Sequence, residues 1–459
     1  MFRAIFANFV IYQPFVSMKT TIKHLILGLV ALLLCSCTAE ESPAVPEPDK
    51  DRSYTIICYM SCGGLDYDVT SMLNNLCQVT VPRHINILGI VKWTRGLDFD
   101  YSDGSGGVTR FKYNHGQRKL TCSDYAANTF RIGDAQNMAN VITWAKEQAP
   151  ADEYILLLFG HGIAYDLKYD ALTRGTLLDD YYKSYTGIDT ITQAMELADT
   201  HFLITILNSC MMNTMEYITE LVPYTDYYLS SSHVSFTNCD ELKLLVEGLM
   251  LYGNDDVSAI ERSVEYDISR EFELHLTSPE CVSDKMLTKC SCVDKFNLAI
   301  RSFVDIVVSL YDEQLAIGEE AFGAKYGFTT EHIDEALAAS YYFHGVFVES
   351  YLNSTSKGDP FYNFDIVDAV SRVAAATQYP ELLASAERVK ETADMAIVSR
   401  VSSYVEGIDS VYPSVTLVNS EQWTELDFAK ARYESLAFDK ATGWSRLLKR
   451  NSATYPHSI

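Results

Sequence analysis

Four short, predominantly apolar runs constrain the fold of this chain more than any other feature. They are the segments 54–60, 85–91, 154–159 and 202–207. Nearly continuous apolar runs of this length are typical of strands that are buried on both faces, as in a parallel sheet. Segments with apolar residues at helical spacing lie between them, at 66–78, 134–148 and 191–198. This alternation predicts an α/β fold, with a mostly parallel sheet flanked by helices.

The second half of the chain has a different, mostly helical pattern. We predict long amphipathic helices at 295–310 and 365–397, a short strand at 414–417 and helix-rich sequence at 428–449. A chain of 459 residues is long enough for two or three structural units. We therefore expect an α/β domain over residues 53–240 and a largely helical C-terminal region over residues 241–459 that packs on it.

The N-terminus has the pattern of a secretory signal. Lys19 and Lys23 precede the apolar stretch Leu25–Leu34, which has ten residues, whereas a membrane-spanning helix needs about 20. A basic region, a short apolar region and then small residues predict a signal peptide over residues 1–36. Met18 begins a more usual signal than Met1 does, so residues 1–17 are a candidate for a start codon assigned too early.

The end of this signal resembles a bacterial lipobox. Leu34 lies three residues before Cys37, with the small Ser36 between them, so Cys37 is the predicted lipidated residue. The acidic, Pro-rich residues 37–52 that follow are the predicted tether, similar to lipoproteins of Bacteroides-type bacteria. The implied location is the outer membrane, facing either the periplasm or the surface. A cleaved signal without lipid, or a short N-terminal anchor, is the alternative.

The charge and the cysteines limit the ligand classes. The formal charge is −25, which argues against binding DNA or RNA through their phosphates and against docking on anionic lipid by charge alone. Eleven cysteines are present, and nine remain when Cys35 and Cys37 are set aside. In an exported protein, disulfides are an option, but an odd number leaves at least one thiol. Cys281, Cys290 and Cys292 lack the usual zinc spacing, so we predict no metal site.

Two chemically capable residues follow neighbouring predicted strands. His161 comes directly after the run 154–159, and Cys210 after the run 202–207. Ligands bind at the carboxyl ends of strands in parallel sheets, and adjacent strands lie about 4.8 Å apart. We therefore expect a thiol nucleophile beside an imidazole base. Taken singly, each residue also has an ordinary structural interpretation, as a buried cysteine or a Gly-His-Gly turn.

The neighbouring residues fit the same chemistry. Gly160 and Gly162 flank His161, which permits close approach of a substrate. The backbone amides of Gly162 and Cys210 are candidates for an oxyanion hole. A predicted helix follows Cys210, and its dipole would favour the thiolate. His233 is the competing base, and we expect it to line the pocket instead.

In these segments the chain resembles the clostripain family of cysteine peptidases, in the caspase–gingipain–legumain clan. The segment Leu156–Gly162 resembles the family's strand that ends in the catalytic His-Gly, and Leu207–Glu216 is like its Asp-Ala-Cys-Leu-Met-Gly segment. Weaker similarities hold their order from about Tyr54 to Leu448. The resemblance implies a caspase-like catalytic domain over residues 53–240, with His161 as the base and Cys210 as the nucleophile.

The sequence departs from the family in the residues that select the substrate. Family members favour Arg or Lys before the scissile bond (the P1 position) through acidic pocket residues, but here the Asp two before the Cys is Asn208. Ser231–Ser235 replaces another acidic stretch, and Asn213 replaces the usual Gly. We therefore expect Asn208, Ser232 and His233 to line a pocket for a neutral or polar residue.

Self-cleavage and calcium activation, which occur in some family members, are not supported by the residues of this chain. Some members cleave themselves between the His and the Cys, but without an acidic pocket we expect no cleavage at Arg174 in that loop. Calcium activates some members, yet no calcium-loop motif is present, so we predict no cofactor. The favoured function is a cysteine endopeptidase acting on protein or peptide substrates. The alternatives are a surface-binding lipoprotein with weakened catalysis on the same fold, and a peptide ligase or transpeptidase.

Overall fold

The four apolar runs form the centre of one sheet in the computed structural model. They are β1 (Tyr54–Ser61), β2 (Ile85–Lys92), β5 (Glu153–Phe159) and β8 (Phe202–Asn208). These strands are parallel neighbours in the order β8-β5-β1-β2. Every residue of β1 is buried, because helices cover both faces of the sheet here. The predicted α/β class with a parallel core is confirmed.

The structure describes only part of the chain: residues 51–162, 175–232, 239–255, 259–275, 284–340, 363–402, 416–418 and 427–454. Several predictions therefore lie outside the described residues. They are the signal peptide over 1–36, nearly all of the tether over 37–52, the lipidation at Cys37, the loop residue Arg174, the pocket residue His233 and Cys281. The division near residue 240 also stays a prediction.

Further strands complete the sheet at both edges. A hairpin of β3 (Val108–Asn114) and β4 (Lys119–Ala126) pairs antiparallel with β2. On the other side, β9 (Thr225–Ser230) runs parallel to β8. Two strands from the second half of the chain, β10 (Asp284–Lys289) and β12 (Ile397–Ser402), then continue the sheet antiparallel. The order is β12-β10-β9-β8-β5-β1-β2-β3-β4.

Six helices accompany the parallel strands within the described ranges up to residue 275. They are α1 (Asp66–Leu76), α2 (Ala135–Gln148), α3 (Ile188–Leu197), α4 (Met215–Leu221), α5 (Glu241–Tyr252) and α6 (Ala259–His275). The start of α2 is set by Asp134, whose carboxylate accepts a hydrogen bond from the Asn137 amide at 2.9 Å. Alternate residues of β1 enter two separate apolar cores, with Ile57 in one and Cys58 in the other. The sheet is therefore the middle of three layers.

The second half of the described chain is mostly helical, as predicted. Its helices are α7 (Val293–Ile317), α8 (Glu319–Tyr326), α9 (Thr330–Ala338), α10 (Ile366–Thr377), α11 (Pro380–Ala396), α12 (Asp427–Ser435), α13 (Ala437–Thr442) and α14 (Trp444–Thr454). The strand β11 (Asn363–Asp365) pairs with β13 (Thr416–Val418), which overlaps the predicted strand at 414–417. None of the described helices is both long and apolar enough to span a bilayer.

One predicted helix was wrong in its extent. Residues 365–397 form two helices, α10 and α11, instead of one. Gln378 ends α10 with a left-handed backbone at φ +51°, and Pro380 occupies the first turn of α11. Proline has no amide hydrogen to donate to the preceding turn, so a continuous helix cannot pass this point. The apolar residues before and after the break both follow the helical period, so the sequence pattern alone did not indicate the interruption.

Candidate active site

His161 and Cys210 follow two strands whose ends are in register. Phe159, the last residue of β5, pairs with Asn208, the last residue of β8. The amide of Gly160 then donates to the Asn208 carbonyl oxygen at 3.3 Å. His161 and Cys210 are each two residues beyond this aligned pair, and both are half-buried. The structure therefore places the imidazole and the thiol at adjacent strand ends, as predicted from their spacing.

The residue after His161 has room for a hydrogen atom only. A β-carbon built on Gly162 would overlap the carbonyl oxygen of Cys210 and would lie 2.9 Å from the β-carbon of Ser209 and 3.0 Å from Met212 Sδ. Contacts under 3 Å are strongly repulsive, so any larger residue would displace the loop that carries the thiol. Glycine at 162 is thus required by the close approach of the two strand ends.

The surroundings of His161 favour its neutral imidazole. Burial lowers the pKa of its imidazole below the ordinary value of 6.5, because desolvation disfavours the charged ring. Two weaker effects raise the pKa, a hydrogen bond to the backbone of Gly63 and the negative charge of Asp68. Gly63 follows the end of β1, the strand next to β5. The sequence patterns did not identify its backbone as a partner of His161.

Cys210 lies in a strained turn. Met211, the next residue, has φ +58°, a left-handed conformation that costs a non-glycine residue about 1 kcal/mol or more. Helix α4 begins at Met215, with Thr214 as its capping residue. Because residues 211–214 separate the thiol from the helix, and the helix dipole acts within about one turn, its expected effect on the thiol is small.

Tyr185 is a further neighbour of the thiol. Burial raises the pKa of its phenol, and the charge of Cys210 as a thiolate raises that pKa further. Tyr185 belongs to the short strand β7 (Ser184–Thr186), which pairs with β6 (Thr176–Asp179). Its place near the site depends on this hairpin, which no apolar run in the sequence indicated.

Strand β6, which we call the strap, crosses the carboxyl ends of four parallel strands. Thr176 forms an isolated bridge with Gly162 beyond β5, and its hydroxyl lies 2.6 Å from the Ser209 hydroxyl beyond β8. Farther along, the Ser61 hydroxyl at the end of β1 donates to the carbonyl of Leu178 at 2.7 Å. The strap therefore holds both residues that adjoin the thiol and the imidazole.

The far end of the strap is held by a buried ion pair. Lys92, the last residue of β2, donates to the carboxylate of Asp179 at 2.7 Å, and both side chains are at most 2% exposed. Asp179 also accepts the amide of Ile132 at 3.2 Å. Lys92 donates in addition to the Phe130 carbonyl at 2.6 Å. A buried lysine needs such partners, because desolvation of an unpaired charge is very unfavourable.

This arrangement of thiol, imidazole and glycine agrees with a match to a known family. The sequence model of the clostripain family matches residues 116–450, well over half of the chain. The chain belongs to the clostripain family. Clostripains are cysteine peptidases, so the chain is a cysteine-type peptidase. The predicted family and enzyme class are confirmed.

Solved clostripain-family structures share this fold. A secreted C11 cysteine protease from Bacteroides thetaiotaomicron, in complex with an irreversible peptide inhibitor, has a TM-score of 0.57 and 14% identity, covering 86% of this chain and 99% of its own. An inactive zymogen C11 protease from Parabacteroides distasonis has a TM-score of 0.53 and 14% identity, covering 86% and 99%. At such identities the similarity concerns the fold alone. No curated protein matches the chain.

The described residues that were predicted to select the substrate are almost fully buried. Asn208 ends β8, and Ser232 follows β9, which is the next strand of the sheet. These two residues are 4% and 2% exposed. The third predicted pocket residue, His233, lies outside the described residues. The pocket assignment thus stays a prediction, but two of its three members adjoin the strands that end at the candidate site.

Three other described cysteines, Cys58, Cys62 and Cys290, have buried thiols. The eight cysteines within the described ranges form no disulfide bonds. Burial raises the pKa of the Cys58 thiol and of the Cys62 thiol well above the usual value. For Cys290, burial raises the pKa to about 12. Such thiols remain protonated at neutral pH and do not act as nucleophiles.

Proposed function

We propose that this member of the clostripain family is an endopeptidase that hydrolyses peptide bonds with Cys210 as the nucleophile and His161 as the general base. The observation that carries the proposal is the register of β5 and β8, which sets both residues two positions past one aligned pair. Burial lowers the pKa of His161, which supports the role of base because the imidazole is then neutral and able to accept a proton at neutral pH.

The chemistry proceeds in two halves. In the first, His161 takes the proton of the Cys210 thiol while Sγ attacks the carbonyl carbon of the scissile peptide. The carbonyl oxygen becomes negative and accepts hydrogen bonds from the amides of Gly162 and Cys210. The intermediate then collapses, the C–N bond breaks, and His161 gives its proton to the departing amine. A thioester joins the acyl part of the substrate to Cys210.

In the second half, water replaces the amine. His161 removes a proton from the water molecule, which attacks the thioester carbonyl. The C–S bond breaks, the carboxylic acid leaves, and the proton returns to the sulfur. If an amine from a second peptide took the place of water, the same acyl-enzyme would give a ligase or transpeptidase. Analysis of the products for new peptide bonds distinguishes these outcomes.

We propose further that the P1 pocket selects a neutral or polar side chain, and not strictly Arg or Lys. Asn208 and Ser232 supply amide and hydroxyl groups, which offer no charge to pair with a basic side chain. His233 is the third proposed member. A peptide library in which Arg or Lys clearly gives the highest cleavage rate at P1 would contradict this assignment.

The decisive experiment is a digest of a peptide library by the wild type, Cys210→Ala and His161→Ala, together with labelling by a peptidyl acyloxymethyl ketone. We expect cleavage and labelling by the wild type and at least a thousandfold loss in either variant. Cys122→Ala, which removes an exposed cysteine from the edge strand, is the matched control. If the Cys210 thiol reacts no faster than a free cysteine, the endopeptidase proposal fails and a binding lipoprotein becomes the better interpretation.

We also propose that the protein is exported and carries a lipid on Cys37, which attaches it to the outer membrane. The lipobox-like sequence before Cys37 supports this, and a fold relative from Bacteroides thetaiotaomicron is described as secreted. Membrane fractionation tests the proposal. The wild type should sediment with membranes, whereas Cys37→Ser should be soluble or retain its uncleaved signal.

A further inference from the structure

A buried carboxylate accepts hydrogen bonds from residues that are predicted to line or adjoin the P1 pocket. The three residues Ser230–Ser232, which we call the serine wall, end β9 and begin the loop that follows it. The Ser231 hydroxyl donates to Asp284 Oδ1 at 2.7 Å. The Ser232 amide donates to both oxygens of the same carboxylate, at 3.0 Å and 3.1 Å. Asp284 therefore accepts hydrogen bonds from two successive residues of the wall.

The position of Asp284 makes this contact part of the sheet. Asp284 is the first residue of β10, which pairs antiparallel with β9, with Met286 opposite Ser230. Its side chain is 0% exposed. Successive side chains of a strand point to opposite faces, and the next residue, Lys285, pairs with Glu241 at 2.8 Å. The second half of the chain thus contributes the carboxylate that binds the serine wall. The Lys285–Glu241 ion pair lies on the opposite face of β10.

A second residue holds the serine wall from the side of the nucleophile. Asn213, three residues after Cys210, donates its backbone amide to the Ser231 carbonyl at 3.0 Å. Its side-chain amide donates to the Ser232 hydroxyl at 3.1 Å, and its oxygen accepts from the Ser230 hydroxyl at 3.3 Å. The wall is consequently tied to the Cys210 loop on one side and to β10 on the other.

We infer that Asp284 is a specificity-positioning residue, which fixes the serine wall at the spacing from Cys210 that a neutral or polar P1 side chain requires. This inference rests on the proposed function and deepens it. Asp284 is fully covered, so it acts through Ser231 and Ser232 and does not touch the substrate. A backbone amide only donates hydrogen bonds, so the Ser232 amide depends on an acceptor at this position.

The test compares Asp284→Asn and Ser231→Ala with the wild type on peptides that differ only at P1. Asparagine keeps the shape of the side chain but replaces one accepting oxygen with an NH₂ donor, which opposes the donating groups of the wall. The free-energy cost of leaving a buried donor without an acceptor corresponds to a roughly tenfold to hundredfold change in a rate or equilibrium constant. We therefore expect the ratio of kcat/KM between the best and the poorest P1 residues to fall by about tenfold in Asp284→Asn. Ser231→Ala should lower the same ratio by about threefold, since it removes one of the two donors.

Two further readouts separate positioning from general damage. Alkylation of Cys210 by iodoacetamide should stay within about twofold of the wild-type rate in both variants, because that reaction does not use the P1 pocket. Asp334→Asn is the matched control. Asp334 is a buried carboxylate in α9 that accepts hydrogen bonds from Tyr311 and Asn451. Its substitution should lower the melting temperature while the P1 ratio stays unchanged.

Each outcome decides the inference. A folded Asp284→Asn that keeps the wild-type P1 ratio overturns it, and so does a uniform loss of activity at every P1 residue. If Asp284→Asn does not fold, an unchanged ratio in Ser231→Ala overturns it instead. Failure of the proposed function would look different, because the wild type itself would cleave no peptide, and both proposals would then fall together.

Discussion

The strap and the serine wall lie on opposite sides of Cys210 and are held in different ways. The strap crosses four strand ends and is fastened to each separately, through Thr176, Leu178 and Asp179. The wall is the end of one strand, and its fastenings converge on two side chains, Asn213 and Asp284. The strap contacts the residues beside the proposed catalytic pair, whereas the wall adjoins the predicted pocket.

This difference predicts two distinguishable kinds of defect. A change in the strap should move the thiol or the imidazole, and so reduce the rate with every substrate by the same factor. A change in the wall should alter the order of preference among substrates and leave the reactivity of the thiol intact. The ratio of kcat/KM values across P1 residues, compared with the alkylation rate of Cys210, separates the two.

The largest effect should come from the ion pair that anchors the far end of the strap. Lys92→Met leaves the Asp179 carboxylate buried without its cation, and breaking one side of a buried pair costs about 3–5 kcal/mol. Urea unfolding should show this loss in the free energy of unfolding. Lys449→Met, in an exposed pair with Glu434, should cost less than about 1 kcal/mol. Equal losses of unfolding free energy in the two variants would show that the buried Lys92–Asp179 pair stabilises the fold no more than an exposed pair does.

The next largest effect should come from the close approach beside the thiol. In Gly162→Ala the new methyl group meets the Cys210 carbonyl and Ser209, so the loop must shift. A misplacement of about 1 Å can reduce the rate about a hundredfold. We expect kcat/KM to fall by that factor with every P1 residue. Gly116→Ala, at an exposed turn where the nearest atom is 3.6 Å away, should be harmless. A changed order of P1 preference would instead mean that Gly162, like the serine wall, affects the choice of substrate.

A smaller loss should follow from removal of one hydroxyl in the strap. Thr176→Val keeps the shape of the side chain but leaves the buried Ser209 hydroxyl without this partner. A lost hydrogen bond of this kind is worth about 1–1.5 kcal/mol, which corresponds to roughly a tenfold change. We expect kcat to fall by that factor, with the same P1 order. Thr121→Val, on the exposed face of β4, is the control. An unchanged kcat would mean that the strap does not position the nucleophile.

The strands that carry the proposed catalytic residues were predictable from the sequence, but the strap and the contact of Asp284 with the serine wall were not. Runs such as 154–159 are apolar throughout, because strands buried on both faces contact only apolar groups. The strap has four residues and mixed polarity, which no periodicity distinguishes from a loop. Its Thr176 is 33 residues from Ser209, and Asp284 is 53 residues from Ser231. Those pairings depend on strand order, which a local pattern does not contain.

The edge hairpin was missed for a related reason. Strand β4 lies at the rim of the sheet, and most of its side chains are exposed or half-buried. Its sequence therefore lacks the apolar alternation that would indicate a strand. The strand β10 has mostly buried residues, but it includes the charged Asp284 and Lys285, so it does not read as an apolar run. Buried charged residues interrupt the apolar pattern of a strand, so the hydropathy of the sequence does not indicate that strand.

The smallest expected effect concerns a charge outside both the strap and the wall. Asp68 in α1 raises the pKa of His161, because a nearby negative charge stabilises the imidazolium. Burial has the larger, opposite effect, so the acid limb of kcat/KM in the wild type should lie below pH 6.5. Asp68→Asn removes only the raising effect, and His161 should then lose its proton at a still lower pH. The acid limb should move down, while the plateau and the P1 order stay the same.

The direction of this shift distinguishes an electrostatic effect from a structural one. Damage to the strap would lower the plateau, and damage to the wall would reorder the substrates, but neither requires the acid limb to move downward. Asp312→Asn, on the distant helix α7, controls for the change in net charge and should leave the limb in place. An upward shift in Asp68→Asn would mean that Asp68 does not act on His161 through its charge. The acid limb would then reflect the titration of a group other than His161, the proposed base.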